Sequence, residues 1–242
     1  MTDIELSPSL ADAHTTLERI RARVRHQVIG RDDVIDLLLI ALLSDGHVLL
    51  EDFPGSGKTT LAKALGGAVR GSREGGLASF RRVQFTPDLL PSDVTGISVF
   101  YPERGEFDFR PGPVFTHFLL ADEINRTSPK VHAALLDAMG EKQVTIDNVT
   151  HALDEIFFVV ATQNPRDLAG TYPLPVAQLD RFLFTLRMDP IGREDDLEVL
   201  RTGRAWSVDD RADLPPVEVE DLIRAREAID SHVHVDDAIL EC

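Results

Sequence analysis

Cysteine and basic residues are scarce in this sequence. The single cysteine, Cys242, is the last residue, so the chain can form no internal disulfide and nothing in it depends on oxidation. Lysine and arginine together number 25 against 41 aspartate and glutamate residues, which gives a net charge of −16. Because this charge repels phosphate backbones and anionic headgroups, we expect no non-specific binding to nucleic acid or to a membrane surface.

Long hydrophobic runs are also missing. The longest, Val34 to Leu43, is interrupted by Asp36 and is far shorter than the roughly 20 residues that cross a bilayer. We interpret it as a buried helix and expect no membrane insertion. The first residues, Met1 to Glu5, are acidic and lack the basic-then-apolar order of a secretory signal, which favours a cytoplasmic location.

A glycine-rich stretch, EDFPGSGKTT at 51–60, lies between an apolar run and a helical pattern. It follows the phosphate-loop pattern G-x-x-x-x-G-K-[ST], except that Asp52 stands at the first glycine. Backbone N–H groups, a helix N-terminus and the Lys58 ammonium would surround a phosphate chain, and the Thr59 hydroxyl would hold magnesium. The alternative is a structural glycine turn. The predicted nucleotide-binding residues of this loop are Pro54, Gly55, Ser56, Gly57, Lys58, Thr59 and Thr60.

Apolar runs predict a sheet of five strands. They cover residues 47–50, 80–85, 115–121, 156–161 and 182–186. Four of these runs are apolar enough to be buried on both faces, and they alternate with helical patterns such as the one that starts at Pro129. We therefore predict an α/β core with a mostly parallel five-stranded sheet.

Turn residues divide the segments between these strands. They predict one hairpin within an insertion at about 87–112 and a second hairpin at about 143–153. Five glycines between residues 65 and 78 predict an exposed loop there, beyond the first turns of a helix.

The pattern changes at Asp189–Pro190. Helical periodicity then covers Arg193 to Arg204 and Glu218 to Ile229, and no strand is predicted between them. We expect a nucleotide-binding core at residues 1–188 and a truncated all-helical domain at 189–242.

Two carboxylates follow the apolar run at 115–121. Asp122 and Glu123 would stand at the carboxyl edge of the sheet, where an open α/β fold binds its ligand and where the glycine loop also opens. Asp122 would hold magnesium through water, and Glu123 would orient and deprotonate an attacking water. A solvated acidic strand end is the alternative.

Asn164 and Arg181 are the other catalytic candidates. The Asn164 amide follows the next buried strand and could reach the same water or the γ-phosphate, unless it is only a turn residue. Arg181 precedes the last strand, too far along the pattern from the glycine loop to serve its own nucleotide easily. It is better placed to reach the nucleotide of a neighbouring subunit, as an arginine finger does. An ion pair with Asp180 or with a neighbour of Asp122 is the alternative.

Four longer strings make the chain resemble the MoxR family of AAA+ ATPases over essentially its whole length. They are RVQFTPDLLPSDVTG at 82–96, GEFDFRPGPVF at 105–115, LLADEINR at 119–126, and ATQNP with GTYPLPVAQLDRF at 161–165 and 170–182. The resemblance implies a P-loop core of the AAA+ type followed by a helical lid.

This resemblance also implies a role for each candidate residue. The assignments are the Walker A pair Lys58 and Thr59, the Walker B pair Asp122 and Glu123, the sensor 1 residue Asn164, and the arginine finger Arg181. Residues 87–112 correspond to the helix-2 insert, which faces the pore and the substrate in related ring ATPases. Ile29 and Gly30 correspond to a segment that contacts the adenine base.

The chain departs from the family pattern in three places. The family's loop usually has glycine at the position of Asp52 and often has alanine at the position of Gly57. Its helical lid continues past residue 242 and carries the sensor 2 arginine there. We therefore assign no sensor 2 residue and expect the natural protein to be longer.

The leading hypothesis is an ATP hydrolase of the AAA+ type that uses ATP and Mg²⁺, forms a homo-hexameric ring and remodels or matures partner proteins. The resemblance suggests von Willebrand factor A-domain proteins as those partners. A nucleic-acid-directed ring motor is a second hypothesis, which the net charge and the lack of basic hairpin tips argue against. An ATP-binding module with little turnover is a third, suggested by Asp52 and the interrupted lid.

Overall fold

The computed structural model of the chain describes residues 7–51, 55–71, 78–164, 171–202, 214–236 and 238. None of the helices in these ranges combines the length and the apolar character that crossing a membrane requires. In chain order the elements are α1 (Pro8–Gln27), α2 (Asp32–Leu43), β1 (Val48–Glu51), α3 (Lys58–Ala68), β2 (Val69–Arg70), β3 (Ala78–Gln84), α4 (Pro91–Thr95), β4 (Gly96–Tyr101), β5 (Glu106–Pro111), β6 (Thr116–Asp122), a 3₁₀ turn (Ile124–Arg126), α5 (Pro129–Glu141), β7 (Gln143–Ile146), β8 (Val149–Ala152), β9 (Phe158–Gln163), α6 (Val176–Leu179), β10 (Phe184–Arg187), α7 (Arg193–Thr202), β11 (Val217–Glu218) and α8 (Val219–Asp230).

A five-stranded sheet forms the centre of the fold. Its strand order is β10-β1-β9-β6-β3, and every neighbouring pair is parallel. The prediction of a mostly parallel five-stranded sheet is confirmed. Because all five strands run in one direction, their carboxyl ends meet at a single edge.

The central strands are buried on both faces. Along β6, Phe118 and Leu120 belong to one hydrophobic cluster, and Leu119 and Ala121 belong to another. The first cluster packs the sheet against α1, α2, α3 and α8, and the second packs it against α5. Successive side chains of a strand point to opposite faces, so burial on both faces requires the continuous apolar runs seen in the sequence.

Both predicted hairpins are present, as the antiparallel pairs β4–β5 and β7–β8. Asp147 and Asn148 join β7 to β8 with φ angles of 51° and 65°, which suits a tight hairpin turn. The short helix α4, which the sequence analysis did not predict, precedes β4. The ring of Phe109 in β5 stacks on that of His151 in β8 with centroids 3.8 Å apart, so the two hairpins are in contact.

The loop predicted over residues 65–78 is wrong in its first part. Helix α3 continues through Gly66 to Ala68, and β2 follows it directly. A Cβ atom on Gly66 would lie 2.9 Å from side-chain atoms of Phe80 in β3. The glycine therefore allows the helix to pack closely against the strand instead of ending the helix. Residues 72–77 of this loop lie outside the described residues.

The segment before the last helix also differs from the prediction. The two-residue strand β11 lies between α7 and α8 and pairs in parallel with β2, so the prediction of no strand there is wrong. Two residues with one apolar side chain give no periodicity that could reveal a strand.

Helix α8 is anchored to the helices around the sheet. Its Leu222 and Ala225 are buried, and the helix packs along α1. The buried Arg226 donates from Nε to the carbonyl of Leu42 at the end of α2 (2.9 Å) and from Nη1 to Asp45 Oδ1 (2.9 Å). In α7, by contrast, no residue is buried.

His47 connects three elements just before β1. Its Nδ1 accepts the backbone N–H of Val159 in β9 (3.2 Å), so its Nε2 carries the proton and donates to the carbonyl of Met139 in α5 (3.3 Å). These bonds require the neutral ring. Burial lowers the pKa of His47 to about 4.

We predict that His47 makes the fold sensitive to mild acid. The unfolded chain takes up a proton on this residue below about pH 6.5, whereas the folded chain does so only near pH 4, so stability falls as the pH decreases between these values. The loss in free energy of unfolding amounts to about 3 kcal/mol by pH 4. Urea unfolding of the wild type and His47→Gln at several pH values measures it, since the variant keeps the carboxylates but lacks this titration. Equal pH slopes in the two proteins would contradict the prediction.

Candidate active site

The carboxyl edge of the sheet carries a cavity of about 590 Å³. Residues 55–60 of the glycine loop line it from one side, and Asp122 with Glu123 line it from the end of β6. Arg82 and Gln84, at the end of β3, complete the lining. The cavity therefore brings together the loop and the two carboxylates that the sequence analysis placed at this edge.

The glycine loop has the backbone conformation of an anion-binding turn. Gly55 and Gly57 have φ angles of 91° and 93°, which residues with a Cβ rarely adopt. Helix α3 begins at Lys58, and no side chain caps its N-terminus among the residues described. Its first N–H groups and the Lys58 ammonium can therefore receive a phosphate group. Pro54 and Asp52 lie outside the described residues.

A single hydroxyl at the end of β9 holds both the Asp122 carboxylate and the backbone of Glu123. Thr162 in β9 donates its Oγ1 proton to Asp122 Oδ1 (2.7 Å) and accepts the backbone N–H of Glu123 (2.9 Å). Glu123 has a φ of 57°, the left-handed conformation. This sharp turn directs the chain out of β6, so that the Asp122 side chain is buried while that of Glu123 is partly exposed in the cavity.

Two side chains of β3 contact these carboxylates, and sequence reasoning missed both. Arg82 binds Asp122 Oδ2 through Nε (3.2 Å) and Nη2 (2.6 Å). Gln84 donates from Nε2 to Glu123 Oε2 (2.8 Å), which also accepts from Nε of Arg126 (3.1 Å). The alternation of Arg82 and Gln84 at the end of a strand was the available signal. It becomes informative only once β3 is known to pair with β6, where Gln84 is the partner of Asp122.

Asn164 lies at the same edge of the sheet but does not line the cavity as described. It follows β9, which is the strand between β1 and β6. Its backbone carbonyl accepts from Nδ2 of Asn125 (3.4 Å). The residue before it, Gln163, donates from Nε2 to Glu51 Oε1 at the start of the loop (2.7 Å).

Ile29 and Gly30 lie in the turn between α1 and α2, next to the start of α7. Gly30 has a φ of 69°, and a Cβ atom on it would lie 2.6 Å from the Asp195 carboxylate of α7. The buried Arg31 donates from Nη2 to the carbonyl of Ser56 in the glycine loop (3.3 Å) and from Nη1 to the carbonyl of Asp189. Arg31 therefore connects this turn to the glycine loop and to the segment that leads into α7.

Arg181 lies at the opposite edge of the sheet from the cavity. It follows α6 and precedes β10, so it stands at the amino ends of the strands. Leu183, two residues later, donates its N–H to the carbonyl of His47 (2.8 Å), and the Arg181 guanidinium packs against Gly140 near the end of α5. The four residues of β1 separate this edge from the glycine loop by about 13 Å. Arg181 is exposed there, away from the cavity of its own chain.

Comparison with known proteins identifies the family. Residues 47–184 match the family model described as the ATPase family associated with various cellular activities (AAA). Chaperone MoxR1 of Mycobacterium tuberculosis is 44% identical over 190 residues, which cover 78% of this chain and 48% of that protein. Protein MoxR of Methylorubrum extorquens is 34% identical over 185 residues, which cover 74% of this chain and 51% of that protein. This chain belongs to the MoxR family of AAA+ ATPases.

Two further comparisons cover nearly all of this MoxR-family chain. Uncharacterized protein YeaC of Bacillus subtilis is 46% identical over 230 residues, which cover 95% of the chain and 69% of that protein. A crystal structure from Cytophaga hutchinsonii, of a protein assigned as an ATPase, has a TM-score of 0.79 at 38% identity and covers 92% of this chain and 65% of that one. The MoxR-family chain thus spans between about half and about two thirds of the length of these relatives.

The MoxR assignment and the AAA+ fold predicted from the sequence are confirmed by these matches. The chain is accordingly an ATPase by family. Its glycine loop and the pair Asp122 and Glu123 line the same cavity.

Proposed function

We propose that this chain is the ATP-hydrolysing part of a ring-forming AAA+ chaperone. The observation that supports it most strongly is the separation of two sets of residues. The glycine loop, Asp122 and Glu123 share one cavity at the carboxyl edge, whereas Arg181 is exposed at the amino edge. An active site completed by a neighbouring subunit accounts for both positions.

In this proposal the glycine loop binds the triphosphate of ATP. The N–H groups at the start of α3 and the Lys58 ammonium hold the phosphate oxygens, and Ile29 with Gly30 lies next to the base. Thr59 supplies a hydroxyl, an oxygen ligand that Mg²⁺ accepts, and Asp122 supplies a carboxylate that would hold the metal through water. Bound magnesium would neutralise phosphate charge and fix the orientation of the terminal phosphate.

Glu123 then acts as the base that orients and deprotonates the attacking water. Its backbone is held by Thr162 and its side chain by Gln84 and Arg126, and the residue already lines the cavity. Asn164, at the end of the neighbouring strand β9, would help to position the same water.

Arg181 completes the site in the next subunit of the ring. A head-to-tail interface places the amino edge of one subunit against the cavity of its neighbour. Repetition of this interface closes a ring. We propose that the ring is a homo-hexamer and that it lies in the cytoplasm. The motion that accompanies hydrolysis would remodel or mature protein clients, consistent with the name chaperone given to MoxR1. The family resemblance favours von Willebrand factor A-domain proteins as the clients.

The experiment that tests this function is ATP turnover measured against protein concentration in the presence of Mg²⁺. The rate per subunit is expected to rise with concentration, because isolated subunits lack the arginine of a neighbour. Lys58→Ala is expected to abolish turnover at every concentration, since it removes the cation that holds the phosphates. A rate per subunit that stays flat would contradict the shared site. A rate that survives Lys58→Ala would show that the activity belongs to a contaminant.

A further inference from the structure

The carboxylate proposed to hold the metal is already paired with a cation of the protein. Asp122 has a side chain that is only 10% exposed, and its Oδ2 accepts both Nε and Nη2 of Arg82. Its other oxygen, Oδ1, accepts the hydroxyl of Thr162. Both oxygens of the carboxylate are therefore engaged within the chain.

We propose that Arg82 is the resident counter-ion of Asp122 and that it must leave Oδ2 when hydrated magnesium binds there with the nucleotide. The inference rests on the proposed function, because it concerns the metal ligand of the same site. It assigns to Arg82 a positioning role. The residue holds the carboxylate in its orientation at the end of β6, and it makes metal binding a competition between two cations.

Burial explains why a resident cation is needed. An ionised carboxylate that is removed from water without a partner is strongly destabilised, so a buried carboxylate at this position requires a cation beside it. The two N–H donors of Arg82 satisfy Oδ2 with a charge-assisted pair. The Thr162 hydroxyl holds Oδ1 independently, so the carboxylate keeps its position when Arg82 leaves.

The geometry also allows Arg82 to leave. Its side chain is 45% exposed, so the guanidinium is already in contact with water. Within the part of the chain that the structure describes, its other hydrogen bond runs from Nη2 to Gln84 Oε1 (3.1 Å). Since Arg82 and a divalent cation held near Oδ2 would repel each other, one must exclude the other.

The test is the magnesium dependence of nucleotide binding. A fluorescent ATP analogue is titrated with wild type, Arg82→Gln and Arg81→Gln over a series of Mg²⁺ concentrations. Arg81 is the matched control, because it is the preceding residue of β3 and its side chain points to the opposite face of the strand. Mg²⁺ also binds the free analogue, but this contribution is the same for every protein and cancels when the proteins are compared.

The quantity compared is the midpoint, the Mg²⁺ concentration at which half of the analogue binding is reached. Arg82→Gln is expected to lower this midpoint about tenfold, the effect of removing one charge-assisted pair. Arg81→Gln is expected to leave it unchanged.

A second pair of variants shows whether the effect passes through Asp122. In an Asp122→Asn background, Arg82→Gln is expected to have no effect on the midpoint, because the two cations no longer compete for a carboxylate. Circular dichroism checks the fold of each variant. Arg82→Lys, which keeps the charge but loses the paired donors, provides a milder change and is expected to lower the midpoint by a smaller factor.

Three results would overturn the exchange. They are an Arg82→Gln midpoint equal to that of the wild type, a raised midpoint, and a lowered midpoint that persists in the Asp122→Asn background. Failure of the wild type to bind the analogue at any Mg²⁺ concentration is a different result. It would overturn the proposed nucleotide-binding function and the exchange together.

Discussion

Replacing Glu123 with glutamine is expected to lower ATP turnover about 10²- to 10⁴-fold, the range for loss of a general base. Binding of ATP is expected to survive, because the variant changes neither the glycine loop nor Asp122. The backbone of residue 123 is fixed by the Thr162 hydroxyl, and glutamine occupies nearly the same volume as glutamate. The change therefore removes a proton acceptor and the charge that pairs with Arg126, and it keeps the backbone and the volume of the side chain.

The matched control for this prediction is Glu227→Gln, which makes the same chemical change at an exposed position of α8. Turnover and binding of the fluorescent analogue are measured on both variants. Unchanged turnover in Glu123→Gln would rule out Glu123 as the base. An equal loss in Glu227→Gln would assign the effect to net charge.

Replacing Arg181 with alanine is expected to have the second large effect, a loss of roughly 10³ to 10⁵ in turnover, the range for an arginine finger. The residue lies about 13 Å or more from the glycine loop of its own chain, so nucleotide binding to one subunit is expected to be unaffected. Its packing against Gly140 is a surface contact, and little stability is expected to be lost with it.

Arg224→Ala is the control for Arg181→Ala, since it removes an exposed arginine from α8. Its turnover is expected to match that of the wild type. If Arg181→Ala also kept wild-type turnover, the arginine that completes the site would have to be sought elsewhere. If it abolished nucleotide binding as well, Arg181 would instead have a structural role.

Much of this fold could be predicted because local signals agree with the tertiary structure. The buried strands β6 and β9 are continuous apolar runs, and both hairpins have turn residues at their tips. The glycine loop and the Asp122–Glu123 pair are short motifs whose spacing already implies a shared edge of a parallel sheet. Such features depend on residues that are close together in the sequence, so they can be predicted from the sequence alone.

The features that were missed depend on contacts between distant segments. Gly66 was interpreted as a helix breaker, although it allows α3 to approach Phe80. Arg82 is 40 positions away from Asp122 and meets it only because β3 is the neighbour of β6. β2 and β11 pair over two residues each, which is too short for any periodicity.

The measurement that tests the shared active site most directly is ATP turnover of a mixture of Glu123→Gln and Arg181→Ala subunits. Each variant alone lacks one component of every site. In a mixed ring, some sites combine the intact Glu123 of an Arg181→Ala subunit with the intact Arg181 of a Glu123→Gln neighbour. With equal amounts of the two variants, this arrangement occurs at about a quarter of the interfaces. The account predicts that mixing restores turnover well above the sum of the two separate rates. A mixture that turns over ATP only at that sum would contradict an active site shared between subunits.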